Sequence, residues 1–148
     1  MTNNNKTNQN NTSSQKTEIE IEGSKLWLGE DGILYVKIGT VMNEKIAEGL
    51  VNSYIEIAKK LPGQIKALVD MSQVPHTSLG VSPEFRKKIV ENIKEAFKKY
   101  GFKKAAIWGG GIFQRTVVRF ILAAARIENI RFFKTEEEAL KWLKEKNH

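Results

Sequence analysis

The chain has 148 residues, 41% of them hydrophobic, and carries 24 Lys plus Arg against 17 Asp plus Glu, a formal charge of +7. That length supports one domain with a proper core, and the absence of cysteine excludes disulfides and thiolate chemistry. The positive balance admits an anionic partner, yet acids are interspersed with the bases almost everywhere, the pattern of a Lys-rich solvated surface.

Met1 to Lys16 is Asn, Thr, Ser, Gln and Lys with no apolar residue after the first. It has nothing to bury, so residues 1–17 are expected to be a disordered tail and residues 18–148 the folded domain. The N-terminus has no apolar core of the signal-peptide kind, which leads us to expect a cytoplasmic protein. Ile19 and Ile21 alternate with Glu18, Glu20 and Glu22. Lys25–Gly29 and Ile33–Ile38, separated by the turn signal Glu30-Asp31-Gly32, are expected to form an antiparallel hairpin. Asn43 can cap a helix running to about Lys60, with Ile46, Leu50, Tyr54, Ala58 and Leu61 as its buried stripe and Pro62-Gly63 as its stop.

Ile65 to Ser72, IKALVDMS, is an apolar run without alternation, as expected of a strand buried on both faces. An irregular segment, Gln73 to Val81, follows. Ser82 caps the next helix and Pro83 takes its first position, where a missing N–H costs nothing. Phe85, Ile89, Ile93, Phe97 and Tyr100 form that helix's apolar face, and Gly101 ends it. Lys104 to Trp108 is a strand, Gly109-Gly110-Gly111 a tight loop, and Ile112 to Arg126 an unusually apolar helix. Val117 to Ala125 within it is interrupted by Arg119 and is too short to span a bilayer. Asn129 to Lys134 is the last strand, and Thr135 with Glu138 opens the final helix as a capping box. The order β-β-α-β-α-β-α-β-α implies an α/β fold with a mainly parallel sheet and an antiparallel first strand.

From about Ile33 onward the chain resembles the STAS superfamily, the domain of anti-sigma-factor antagonists, and is most similar to its divergent SpoIIAA-like (STAS/SEC14-like) branch. The likeness is carried by Leu68-Val69-Asp70-Met71-Ser72, by Lys104-Ala105-Ala106-Ile107-Trp108, and most specifically by the segment from Ile130 through Phe133 and Glu138-Ala139 to Trp142-Leu143. The resemblance implies a mixed, mainly parallel sheet of four to five strands, with about four helices largely on one face. It also implies protein–protein regulation or small-ligand sensing rather than catalysis. In true antagonists an Asp-Ser-Ser-Gly or Asp-Ser-Thr-Gly loop holds a phosphorylated serine. The nearest segment here is His76-Thr77-Ser78-Leu79-Gly80, which lacks the Asp and has a Leu before the Gly, so the carried-over phosphoacceptor is Ser78, or Thr77.

Several residues are candidates for chemistry. Asp70 and Ser72, where the central strand ends, can orient a ligand or a partner's backbone, or Asp70 can simply cap the following turn. His76 stands almost alone, since the only other histidine is the terminal His148; with no cysteine, no metal site and no cofactor are expected. Asp70, His76 and Ser72 or Ser78 lie too close in sequence for the usual triad, and no nucleophile elbow accompanies them. Gly109, Gly110 and Gly111 open a helix carrying Arg115 and Arg119, an arrangement suited to an anion, but they fit no nucleotide fingerprint. The Ile112–Ala125 helix is too apolar for one buried stripe, so it contacts a partner or second copy, lines an apolar pocket, or packs closely in the core. Phe132-Phe133 is a poor stacking platform, because successive strand residues face opposite ways, and this argues against nucleic acid. The expectation is therefore a non-catalytic regulatory or interaction module, homodimeric, docking through Asp70, Ser72, His76, Gly80 and the Gly109–Arg119 face. The alternative is a carrier or sensor of an apolar ligand with an acidic head group, held by that helix and its arginines.

Overall fold

In a computed structural model of the chain, residues 18–75 and 82–145 are described. They form β1 (Ile19–Ile21), β2 (Ser24–Leu28), β3 (Ile33–Lys37), α1 (Glu44–Lys59), β4 (Ile65–Asp70), α2 (Pro83–Lys99), β5 (Phe102–Trp108), α3 (Ile112–Ala124), β6 (Ile130–Phe133) and α4 (Glu136–Lys144). The six strands make one sheet in strict chain order, antiparallel from β1 to β3 and parallel from β3 to β6. The expected α/β class and antiparallel start are present, but the sheet has six strands, not four to five. The sixth is β1, joined to β2 through Glu22-Gly23, both at positive φ (47° and 96°), as a tight two-residue hairpin requires. Three alternating residues are too few to announce a strand, and Glu-Gly is not the usual turn pair.

The helix caps form as their residues dictate. Asn43 Oδ1 accepts from Ile46 N–H at 2.9 Å, Ser82 Oγ from Phe85 N–H at 3.1 Å, and Thr135 Oγ1 from Glu138 N–H at 3.2 Å. Successive parallel strands advance in one direction, so crossovers of one hand place α1, α2 and α3 on the same face. Leu34, Ala67 and Ala105 point to that face and pack with Tyr54 and Ala58 of α1. Their strand neighbours Ile33, Leu68 and Ala106 point the other way and pack with Ala139 and Leu143 of α4.

Among the described helices α4 is thus alone on its face, and the sheet holds it by its carboxyl end. Lys66 Nζ of β4 donates to the Leu143 carbonyl at 2.6 Å, and Lys104 Nζ of β5 to that of Trp142 at 2.9 Å. These cations meet the negative end of the helix dipole. Burial, with Lys103 and Lys104 nearby, lowers the Lys66 ammonium below the ordinary lysine value.

Candidate functional site

The carboxyl ends of β4 and β5 bring together several residues singled out from the sequence. Asp70 is paired with Trp108 across the strands, and Met71 N–H donates to the Trp108 carbonyl at 2.9 Å. Asp70 Oδ1 accepts from Ser72 N–H at 2.8 Å, the local Asx cap, so one of its oxygens serves the backbone. Gly109 lies against this turn: a Cβ built on it would stand 2.7 Å from Ser72 N. Its φ of +84° also disfavours any side chain. Gly111 is the N-cap of α3 and offers no side-chain cap. His76, Thr77, Ser78 and Gly80 lie outside the described residues.

The crowding at Gly109 predicts a difference between neighbours. Gly109→Ala meets both a backbone clash and positive φ and should cost about 2 kcal/mol or more, whereas at Gly110 the nearest atoms are 3.4 Å away and φ (+78°) acts almost alone. Thermal unfolding of the two variants checks this: equal falls in Tm would remove the close approach of the two loops.

The most apolar pocket lies between the sheet and the three crossover helices. A partly open cavity of about 260 Å³ is bounded by the sheet, the inner sides of α1 and α3, and the apolar stripe of α2. Leu34 and Val69 come from the strands, Leu50 from α1, Ile89 and Ile93 from α2, and Ile121 from α3. The stripe read from sequence as the buried face of α2 therefore faces space; the one fully buried residue of α2 is Ala96, near its end. Polar side chains on the wall are few. Tyr54 donates its hydroxyl to the Tyr100 carbonyl, and Asn92 stands where the wall passes into the α1–α2 groove beside Glu95 and Lys99.

Its volume exceeds that of the roughly 150 Å³ engineered apolar cavity that admits benzene.

Leu122 and Ile130 separate the cavity from a second, open groove between α3 and β6. Arg119 and Arg131 border that groove, and the Arg119 guanidinium stacks 4.5 Å from the Phe132 ring. Arg119 therefore stands beside the cavity wall rather than beside the glycine loop, two turns away from it. Arg115, one turn into α3, is the nearer arginine to Gly111. The structure thus divides the expected site: Asp70, Ser72, Gly109 and Gly110 gather at the strand ends, while Arg119 belongs to the α3–β6 groove. Two polar residues that the sequence did not mark stand on the cavity's helices, Gln114 on α3 and Asn92 on α2. Gln114 is fully buried and donates Nε2 to the Pro75 carbonyl at 2.6 Å, while its Oε1 has no partner among the described residues. Asn92 sits at the other side of the cavity. A lone amide in an amphipathic helix carries no sequence signal for either role.

Among the described residues no group of His, Cys, Asp or Glu is arranged to hold a metal, and no helix is long and apolar enough to cross a membrane. No protein-family model matches the chain, and a search of curated proteins finds no significant match.

Proposed function

We propose that the protein is a non-catalytic carrier or sensor that encloses an apolar ligand between its sheet and α1–α3. The observation that carries this reading is the 260 Å³ cavity with a nearly all-carbon wall. Ligand pockets are largely apolar with a few placed polar groups. A hydrocarbon chain matches such a wall, and an acidic head group matches Arg119 in the adjoining groove, which shares Leu122 and Ile130 with the cavity. The STAS/SEC14-like resemblance, including small-ligand sensing, is part of the same proposal. A second reading, an interaction module that pairs with a protein or with itself, is favoured by one feature: Ile112 and Phe120 on the outer side of α3 are 77% and 60% exposed.

Native mass spectrometry on gently purified protein tests the ligand reading. A reproducible adduct lost on denaturation is the expected result, and titration with cis-parinaric acid, a fluorescent fatty acid, should show saturable uptake. A clean unliganded mass together with no uptake would overturn it.

A further inference from the structure

We propose that the outer face of α3 docks on an anionic lipid surface, placing the cavity wall at Leu122 and Ile130 beside the bilayer from which the ligand is drawn. The proposal rests on the ligand reading above for its second half only. α3 is two-faced. Its inner side, with Val117, Val118 and Ile121, lines the cavity. Its outer side presents Ile112, Thr116, Arg119, Phe120 and Ala123, all exposed. Large apolar side chains interleaved with arginines are what an interfacial helix uses: the rings and branched chains enter the acyl boundary while the guanidinium groups stay at the head groups.

Charge selects the occupant. α3 carries Arg115 and Arg119 and no acid, with Arg126 just beyond its end. A second copy packed α3 to α3 would bring these cations together, whereas a bilayer containing anionic lipid complements them. Geometry favours lipid over an acidic protein. The helix that would lie on the surface is also a wall of a nearly all-carbon cavity, and the α3–β6 groove beside it shares Leu122 and Ile130 with that cavity. A water-insoluble ligand needs a path that does not cross bulk water, and a docked α3 would set the cavity wall beside the bilayer.

Vesicle co-sedimentation tests the proposal. The full chain should bind vesicles of phosphatidylcholine mixed with phosphatidylglycerol at least about tenfold more tightly than phosphatidylcholine alone, and Ile112→Ser with Phe120→Ser should remove most of that binding. Arg115→Glu should lower binding to the mixed vesicles and leave binding to the neutral ones unchanged. Ile112 and Phe120 lie on the outer side, so their substitution should leave uptake of cis-parinaric acid from detergent-free solution unaffected. Vesicle binding without uptake would sink the ligand reading and leave the docking surface standing. Wild-type and variant chains partitioning alike would overturn the docking surface. So would a dimer in sedimentation analysis that the same substitutions dissociate while vesicles are ignored.

Discussion

Replacing Ala105 by Leu and Val117 by Phe will raise the melting temperature of the ligand-free protein while abolishing uptake of cis-parinaric acid. Both residues line the cavity, Ala105 from β5 and Val117 from α3, and Ala105 is only 1% exposed. In a packed core such enlargements force strain and destabilise by about 1–3 kcal/mol. Here the added carbons enter space already present. Each buried methylene contributes about 0.8 kcal/mol, so Ala105→Leu alone should stabilise by about 2 kcal/mol, a shift of several degrees in Tm. The same atoms occupy the ligand's volume, so affinity should fall by well over about tenfold. The two readouts move in opposite senses, and overpacking of an ordinary core does not produce that. Destabilisation with unchanged uptake would mean that the fatty acid binds elsewhere and that α2 closes on the sheet.

The sequence made much of this architecture legible, for identifiable reasons. Asn43, Ser82 and Thr135 were readable as caps because capping is local: a side-chain oxygen reaches an N–H three residues away whatever the tertiary fold. The β2–β3 hairpin was readable from its turn, and β4 from its unbroken apolar run. What periodicity reports, however, is the direction of a side chain and not the distance to its partner. Phe85, Ile89 and Ile93 recur correctly for an inward face, yet they line a void. The same limit applies to Arg119. Its spacing from Arg115 placed both on one helix face, but only the packing of α3 beside β6 sets its guanidinium on Phe132. α4 illustrates the third kind of gap. Its apolar face was legible, but which side of the sheet it covers depends on where the chain turns after β6, and the lysines that hold its end sit on β4 and β5, far away in sequence.

Tyr54→Ala should be among the most damaging single changes available, costing about 3–5 kcal/mol in urea unfolding near neutral pH. The ring is 5% exposed and meets Phe97 edge-on at 4.8 Å and Phe102 at 5.1 Å, while those two rings pack edge-on at 4.6 Å. Its hydroxyl donates to the carbonyl of Tyr100, the residue that ends α2, so one side chain ties α1 to α2 and to the start of β5. Tyr54→Phe keeps the rings and strips the donor, leaving that carbonyl short of its partner at a cost of about 1–2 kcal/mol. Both variants also differ from the parent in alkali. Burial pushes the Tyr54 hydroxyl from 10.0 up to about 12, so the folded protein keeps a proton that the unfolded chain releases near pH 10. The contribution is therefore complete below about pH 10 and is lost as pH rises towards 12, a fall on the order of 2 kcal/mol. Tyr35 adds a shallower slope, because solvent screens its more exposed hydroxyl: burial, its hydrogen bond to Asp31, and the charges of Asp31 and Glu136 raise it to about 12. Tyr54→Phe should flatten the alkaline limb but not abolish it, and Tyr54→Phe with Tyr35→Phe should flatten it further. Because Tyr54 also lines the cavity, Tyr54→Ala should enlarge it, and the loss of stability should be partly recovered when cis-parinaric acid is added in excess. An equal loss with and without the fatty acid would place the ligand away from the aromatic end of the cavity.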